Sequence, residues 1–249
     1  MRERVRVGVG LGVGAVVALL AARGFSDEAV KEHSAIKPVM KDKARHEKFV
    51  EIAKRGGVDV LFLGDSITDA WGGEGHGRGP GTTIFKAEFE PLKAANFGIG
   101  GDRTQHVLWR LQNGELDGIQ PKVVMLMIGT NNSNGKDNTA EEIADGIKAI
   151  VKEIHKRSPK TKVLLLGIFP RGARPNPQRE KLNQVNAIIA KLDDNGKTVK
   201  YLDIGEKFLE KDGTLSRDIM PDFLHLSPKG YRIWADAVKG PIKELLGEK

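Results

Sequence analysis

The sequence predicts one α/β domain, in which a doubly wound parallel sheet of about five strands carries helices on both faces. Three observations lead to this fold class. Five short runs are almost wholly apolar, as is typical of strands buried on both faces. Segments with apolar residues at helical spacing separate and follow these runs, and strands that alternate with helices favour a parallel sheet. The 249 residues show no internal repeat and no second-domain boundary, so one large domain accounts for them.

The predicted strands occupy residues 58–64, 93–101, 122–130, 162–169 and 199–204. The first, VDVLFLG, ends in glycine, the second is a short strand inside KAANFGIGG, and the third, KVVMLMIGT, has the strongest apolar signal in the chain. The predicted helices occupy residues 102–113, 139–157, 177–195 and 228–246. Each places apolar side chains on one face, as Ile143, Ile147 and Ile150 do in the second helix.

Residues 1–24 have the layout of a secretory signal peptide, with a basic start, an uncharged run of 16 residues from Val7 to Ala22, and small residues after it. The run is short for a bilayer span, which needs about 20 residues. An uncleaved membrane anchor through residues 7–22 and a buried N-terminal segment stay open as alternatives. Residues 25–45 are polar and lysine-rich and are predicted to be a linker before a domain at 46–249. We therefore expect an exported protein, either periplasmic or secreted.

Charge and cysteine content exclude several classes of function. The formal net charge is +7, of which residues 1–24 contribute +3, so the rest of the chain carries about +4. This mild excess, without a dense Lys/Arg run or a basic patch interleaved with aromatic residues, argues against a nucleic-acid partner. The sequence has no cysteine, which excludes disulfides, thiol catalysis and zinc held by cysteine.

Polar clusters follow the first three predicted strands, as GDSIT, FGIGGD and GTNN. In parallel sheets the ligand site lies beyond the carboxyl ends of the strands. Each cluster alone is explained by a tight turn, and Ser66 alone by a helix cap. Three such clusters at one edge of the sheet favour a site instead.

Ser66 is the candidate nucleophile at this edge. A serine hydroxyl needs a nearby base, and the base needs an orienting partner. His225 is the candidate base, because Asp222 lies three residues before it in a turn that precedes the last predicted helix. The other five histidines are expected to be solvated or structural; they are His33, His46, His76, His106 and His155.

Acyl transfer also needs hydrogen-bond donors for the developing oxyanion. Three candidates follow the strands: the amide of Ser66, the amide of Gly101 and the side-chain amide of Asn131. A glycine at position 101 lets a ligand approach the backbone closely. The alternatives are an ordinary turn for Gly101 and an ordinary cap for Asn131.

The blocks GDSIT, NFGIGGD, GTNN and DFLH resemble, in this order, the four sequence blocks of the GDSL/SGNH hydrolase family. A narrower resemblance covers about residues 45–246: segments such as NFGIGGDRTQHVLWRLQNGEL and PDFLHLSPKGYRIWADAV are similar to the catalytic subunits of intracellular platelet-activating-factor acetylhydrolase. The resemblance implies a flavodoxin-like three-layer α/β/α sandwich. It also implies hydrolysis of acetyl or other short-acyl esters by Ser66, His225 and Asp222, without a metal or cofactor.

The same resemblance implies that Ile67, Thr130 and Leu224 surround the acyl group, since each is next to a catalytic position. The insert GGEGHGRGPG at 72–81 departs from that subfamily and is expected to be a flexible loop close to Ser66. We interpret Asp65 as a carboxylate that organises a turn and Asp69 as a residue of the first helical turn. Arg171 is expected either to meet a polar or anionic substrate or to form a structural ion pair.

The sequence leaves more than one function open. The expected partner is a small-molecule ester, either an acetylated phospholipid or an acetylated carbohydrate. A carbohydrate O-deacetylase resembling acetylxylan esterases, and a lysophospholipase or thioesterase, remain alternatives with the same machinery. A non-enzymatic binding protein is a further alternative, against which the presence of every catalytic residue type argues. A homodimer is also left open.

Overall fold

A five-stranded, wholly parallel sheet forms the centre of the computed structural model, which describes Met1 and residues 32–248. The strands are β1 (Val60–Gly64), β2 (Ala94–Gly98), β3 (Val123–Met127), β4 (Lys162–Leu166) and β5 (Val199–Leu202). Their order in the sheet is β2-β1-β3-β4-β5, the flavodoxin-like order of doubly wound folds. The predicted fold class is therefore confirmed.

Helices cover both faces of this sheet. They are α1 (Lys43–Arg55), α2 (Ser66–Asp69), α3 (Thr82–Glu88), α4 (Thr104–Gln112), α5 (Ala140–Arg157), α6 (Pro177–Ile189) and α7 (Pro228–Leu246). Short 3₁₀ turns lie at Ser34–Ile36, Glu90–Leu92, Ala190–Leu192 and Gly205–Phe208. The long helices begin at residues that suit helix starts. Ser227 accepts a hydrogen bond from the Gly230 amide, and Pro228 occupies the first helical position of α7.

Two apolar cores result from the alternation of side chains along the strands. Leu61 and Leu63 of β1 belong to a core that also contains residues of α1, α4, α5 and α6. Val60 and Phe62 point to the opposite face, where residues of α2, α3 and α7 pack. Successive side chains of a strand point to opposite faces, so a strand covered on both sides must be apolar throughout.

The strand register places the three polar clusters side by side. Gly64, the last residue of β1, is paired with Gly98 of β2 on one side and with Met127 of β3 on the other. Because these strands are parallel and end together, the residues that follow them share one edge of the sheet. This edge carries the candidate site.

Element boundaries differ from the predictions at several ends; for example, the strands predicted at 122–130 and 162–169 end at Met127 and Leu166. The short strand predicted inside residues 93–101 covers Ala94–Gly98, and the residues after it belong to the turn that leads to α4. The helix predicted at 177–195 ends at Ile189 and continues as a 3₁₀ turn to Leu192. Helices α1 and α3 complete the two layers. The seven residues of α3 are too few to show a clear helical period in the sequence.

Residues 33–42, which the sequence analysis placed in a linker, pack against the domain. Ala35 is fully buried, and its carbonyl oxygen accepts a hydrogen bond from the Thr104 hydroxyl at 2.8 Å. The Val39 amide donates to the Gln105 carbonyl oxygen at 3.2 Å. These contacts use backbone atoms, so the polar composition of the segment does not reveal them.

The predicted signal peptide or anchor at 1–24, and the linker up to residue 31, lie outside the described residues. Within residues 32–248, none of the helices combines the length and the apolar character needed to cross a membrane. The prediction of export stays a prediction.

Candidate active site

Ser66 is the first residue of α2 and lies directly beyond the end of β1. Asp65 caps this short helix, because its Oδ1 accepts the Ile67 amide at 3.0 Å. Gly64 allows the sharp change of direction, since a Cβ atom at this position would collide with the Thr68 side chain and the Met127 carbonyl oxygen. The strand-to-helix turn therefore holds the Ser66 hydroxyl at the carboxyl edge of the sheet.

The imidazole of His225 connects Ser66 with Asp222. Its Nε2 lies 3.0 Å from Ser66 Oγ, and its Nδ1 lies 2.6 Å from Asp222 Oδ2. A neutral imidazole that donates Nδ1–H to the carboxylate leaves Nε2 free to accept the serine proton. The three side chains that the sequence analysis grouped are thus in hydrogen-bond contact, across a separation of 159 residues between Ser66 and His225.

Asp222 is held as a carboxylate by its own turn. Its Oδ1 accepts the backbone amides of Leu224 at 3.0 Å and of His225 at 2.7 Å. Burial acts to raise the pKa of Asp222, but the hydrogen bonds from the His225 side chain and from these amides outweigh it and hold the pKa below its usual value. The Asp222 carboxylate favours the orientation in which the His225 imidazole points its Nδ1–H towards it.

The backbone of Phe223 strains this turn. Its φ of 60° lies in the left-handed region, which side chains other than glycine rarely adopt. The Gly172 amide donates to the Phe223 carbonyl oxygen at 2.8 Å, and the Arg217 guanidinium lies 4.4 Å from the centre of the Phe223 ring. Contacts from outside the turn therefore offset the strain and fix the distance between Asp222 and His225.

The candidate oxyanion donors are the amides of Ser66 and Gly101 and the side-chain amide of Asn131. Gly101 has a φ of 73°, and a Cβ atom built on the preceding Gly100 would be 4.0 Å from the Ser66 Cβ. Within residues 32–248, the amides of Ser66 and Gly101 have no hydrogen-bond acceptor. The side-chain amide of Asn131 donates one hydrogen to the Asp102 carbonyl oxygen at 2.9 Å, which leaves its second hydrogen for a ligand.

Comparison with known proteins identifies the family. Residues 62–233 match the model of the GDSL-like Lipase/Acylhydrolase family. The chain belongs to this family. It is a carboxylic ester hydrolase of the GDSL type, as its sequence blocks predicted.

Two curated relatives and one solved structure show how far the similarity of this GDSL hydrolase extends. Platelet-activating factor acetylhydrolase IB subunit alpha2 of Rattus norvegicus is 42% identical over 91% of this chain and 95% of the relative. Subunit alpha1 of the Homo sapiens enzyme is 42% identical over 82% of this chain and 83% of the relative. A structure from Streptococcus pneumonia, provisionally described as a platelet activating factor, has a TM-score of 0.66 and 25% identity over 80% of this chain and 91% of its own.

Buried charged side chains stabilise the turn that contains Gly101 in this GDSL hydrolase. Asp102 is fully buried and accepts Arg110 Nε at 3.0 Å, and Arg110 also pairs with the buried Glu115. His106 Nδ1 accepts the Arg103 amide at 3.0 Å at the start of α4. Burial, with the nearby cations as a second cause, lowers the pKa of His106 to about 4, which keeps the imidazole neutral and able to accept that bond.

The insert at 72–81 is anchored at its centre by the side chain of His76, a contact that the sequence analysis did not expect. The imidazole of His76 is fully buried, with Nδ1 at 2.6 Å from Asp69 Oδ1 and Nε2 at 2.7 Å from the Asn96 carbonyl oxygen. Arg45 of α1 donates to the same Asp69 oxygen at 3.0 Å. The single histidine in the glycine-rich run was the only sequence signal for this contact.

Asp69 does more than occupy a helical turn, which was the interpretation from sequence. It is the last residue of α2, and its Oδ2 accepts the Gly100 amide at 3.1 Å. Burial raises the pKa of Asp69, but hydrogen bonds from His76 and Arg45 and their charges lower it further, so it stays below its usual value. The Asp69 carboxylate therefore ties the insert to the turn that carries the candidate oxyanion donors.

Arg171 contacts Thr130, one of the three residues predicted to surround the acyl group. Arg171 Nη1 donates to the carbonyl and hydroxyl oxygens of Thr130 at 3.3 Å and to Asn134 Oδ1 at 3.1 Å. These acceptors are neutral, and none of the carboxylates within residues 32–248 forms an ion pair with Arg171, so the structural ion pair is not found in this part of the chain. Ile67 is buried in the core between the sheet and α7, and Leu224 packs partly buried against the same core. Thr130 is buried next to Asn131.

Within the described part of the chain, no group of three or more acidic or histidine side chains is arranged to hold a metal ion. The candidate site offers a hydroxyl, an imidazole, a carboxylate and amide donors.

The buried carboxyl group of Asp65 predicts a pH-dependent stability. Burial raises its pKa from 3.8 to about 7, against the hydrogen bond from the Ile67 amide. The folded protein therefore binds this proton more tightly than the unfolded chain, so stability falls as the pH rises from about 4 to about 7 and then levels off. Asp65→Asn removes this cost, and we expect it to raise the free energy of unfolding by up to about 4 kcal/mol at pH 8.

Urea denaturation of both proteins at pH 4, 6 and 8 measures this effect. The gain from Asp65→Asn should shrink to less than about 1 kcal/mol at pH 4, where the folded protein keeps the carboxyl group protonated and only about half of the unfolded chains have lost this proton. Asp212→Asn is the control, because Asp212 is exposed and hydrogen bonds from Thr214 lower its pKa, so no gain at pH 8 is expected. A gain of equal size at pH 4 and pH 8 would contradict the assignment.

Proposed function

We propose that this protein hydrolyses acetyl and other short-acyl esters through a triad of Ser66, His225 and Asp222. The observation that carries the proposal is the pair of hydrogen-bond distances at His225, 3.0 Å from Nε2 to Ser66 Oγ and 2.6 Å from Nδ1 to Asp222 Oδ2. Nucleophile, base and orienting group each have the partner that acyl transfer by serine needs.

The proposed first half-reaction acylates the serine. Ser66 Oγ attacks the ester carbonyl carbon while His225 Nε2 takes the hydroxyl proton, and the carbonyl oxygen becomes an oxyanion. The amides of Ser66 and Gly101 and the Asn131 side chain donate to this oxygen. His225 then gives its proton to the departing alkoxide, and the carbon–oxygen bond of the ester breaks. Asp222 stabilises the imidazolium that exists between these two proton transfers.

Water completes the cycle in the second half-reaction. His225 takes a proton from a water molecule, whose oxygen attacks the acyl carbon of the acyl-serine. The oxyanion forms again against the same three donors. Collapse of this intermediate releases the carboxylic acid, and the Ser66 oxygen recovers a proton from His225.

Two arguments support a short acyl group. The curated relatives with 42% identity are named as acetylhydrolase subunits. In this chain Ile67 belongs to an apolar core and Leu224 packs against that core, and each is next to a triad residue in the sequence, so an acyl pocket between them would have little space. Extra methylene groups forced into a filled pocket typically cost about 1–3 kcal/mol.

The chain-length dependence of hydrolysis tests this proposal. We expect kcat/KM for p-nitrophenyl esters to fall steeply from acetate to butyrate to octanoate, and Leu224→Ala to make the fall shallower. Leu209→Ala is the matched control, since Leu209 is also a partly buried leucine packed against the same core but lies outside the turn that holds His225. A kcat/KM that rises towards octanoate would refute the short pocket and favour the lysophospholipase or thioesterase alternative.

The alcohol part of the ester needs a separate measurement. Acetate release is compared between a phospholipid with an acetyl group and acetylated xylan, at matched concentrations of acetyl groups. We expect the phospholipid to react faster, on the basis of the acetylhydrolase relatives. Faster release from xylan would identify a carbohydrate O-deacetylase with the same triad.

A further inference from the structure

The peptide unit between Gly100 and Gly101 carries one of the proposed oxyanion donors. A peptide unit is planar and trans, so its carbonyl and its N–H point in opposite directions. The direction of the Gly101 N–H is therefore set by whatever holds the Gly100 carbonyl oxygen. That partner is Lys41, whose Nζ donates to this oxygen at 2.6 Å.

No side chain at Gly100 or Gly101 restricts the rotation of this peptide unit. Both flanking residues are glycines, and Gly101 already has a φ of 73°. Glycine populates positive and negative φ about equally, so the unit can turn over without a Cβ clash. A Cβ atom on Gly101 would meet only the end of the Lys41 side chain, at 3.6 Å. A hydrogen bond must therefore provide the orientation that side-chain sterics do not.

The neighbouring peptide units have other anchors. The Gly100 amide, which belongs to the preceding unit, donates to Asp69 Oδ2 at 3.1 Å. The Asp102 amide, which belongs to the following unit, donates to the Ile99 carbonyl oxygen at 3.1 Å. Neither contact touches the carbonyl of Gly100. Among residues 32–248, Lys41 is the hydrogen-bond donor to that oxygen.

Lys41 is itself held in place by charge. Its Nζ lies 3.6 Å from Asp102 Oδ1, a buried oxygen without a hydrogen-bond partner among the described residues. Asp102 is the residue after Gly101. The Lys41 ammonium group therefore contacts the carbonyl oxygen of Gly100 before the Gly101 amide and the carboxylate of Asp102 after it. A bond from a cation to a carbonyl is stronger than a neutral one, and it polarises the peptide so that the opposite N–H donates more strongly.

We propose that Lys41 is a positioning residue of the oxyanion hole, acting through the Gly100–Gly101 peptide unit on the Gly101 amide. This inference rests on the proposed function, in which that amide binds the oxyanion. Lys41 comes from the segment before α1 and touches the peptide carbonyl. Its effect belongs to the transition state and the tetrahedral intermediate, because the ground-state ester carries no oxyanion.

Lys41→Met tests the proposal by removing the charge and the donor while keeping the apolar stem. With the neutral substrate p-nitrophenyl acetate, we expect kcat to fall about tenfold to a hundredfold and KM to stay within about twofold. Lys41→Arg keeps a charged donor and should retain kcat within about threefold of the unmodified protein. Lys43→Met is the control, because Lys43 is two residues away, 72% exposed and paired with Glu47.

An alkylboronic acid gives a second readout, because its tetrahedral adduct with a serine carries an anionic oxygen as the transition state does. Its inhibition constant should rise in Lys41→Met by about the same factor as kcat/KM falls. Lys41→Gln provides a second neutral variant, and circular dichroism checks the fold of each. A lower melting temperature with unchanged kcat and unchanged boronate inhibition would overturn the proposal and leave Lys41 a structural residue.

The comparison with Ser66→Ala separates this proposal from the proposed function. Loss of activity in Ser66→Ala together with full kcat in Lys41→Met would overturn the role of Lys41 alone. Retained activity in Ser66→Ala would overturn both, because no acyl-serine would then need an oxyanion hole. Loss of kcat in both variants, with Lys41→Arg active, supports both.

Discussion

Ser66→Ala is expected to lower kcat for p-nitrophenyl acetate by several orders of magnitude and to leave the fold intact. The Ser66 hydroxyl is hydrogen-bonded to His225 Nε2, and Ser66 belongs to neither apolar core. Without the nucleophile, the remaining site provides only about 10³–10⁴-fold acceleration over water. Steady-state kinetics measures the loss, and a fluorophosphonate probe, which reacts with activated serines, should label the unmodified protein alone.

Ser216→Ala is the matched control for this experiment. The Ser216 hydroxyl oxygen accepts the Asp218 amide at 3.2 Å in a turn outside the triad, so its loss should change kcat by less than about twofold. Activity of Ser66→Ala within about tenfold of the unmodified protein would exclude Ser66 as the nucleophile.

Asn131→Ala is expected to lower kcat by about 10²–10³ with little change in KM. The side-chain amide of Asn131 is oriented by its bond to the Asp102 carbonyl oxygen, so its second N–H is directed before the substrate arrives. A preorganised donor acts mainly where negative charge develops, which is the transition state. Initial rates over a range of p-nitrophenyl acetate concentrations separate kcat from KM.

Asn134→Ala controls for loss of an amide from the same loop. Asn134 Oδ1 accepts hydrogen bonds from the side chains of Arg171 and Gln178. We expect the kcat of Asn134→Ala to stay within about threefold of that of the unmodified protein. If Asn131→Ala raises KM and leaves kcat unchanged, Asn131 binds the ground state of the substrate and is no oxyanion donor.

Much of the fold was predictable because its signals are local. The apolar runs around Leu61 and Met125 are continuous, as burial on both faces requires, and each element follows from a few consecutive residues. The proximity of Ser66 and His225 was also predictable, because each follows or precedes an element at the carboxyl edge of the sheet. Their motifs occur in the order that the GDSL family uses.

The supporting contacts were not predictable from these signals. Lys41 lies in a polar segment whose composition predicts a linker. Its partner is a backbone carbonyl, and because every residue has one, the sequence does not indicate which of them Lys41 contacts. His76 lies in a glycine-rich insert, and nothing in its neighbourhood indicates that its imidazole reaches Asp69. Arg171 could be placed near the site, but the choice between charged and neutral partners needed the position of Thr130.

The sequence by itself determined the α/β class, the family and the types of residue available for acyl transfer. This was possible because the spacing of apolar residues and the short motifs depend only on residues that are close together along the chain. The tertiary structure decided which groups orient the candidate donors, including Lys41 on the Gly100 carbonyl and Asp69 on the Gly100 amide. These bonds join residues 59 and 31 positions apart, and their geometry exists only after the sheet and its helices have packed.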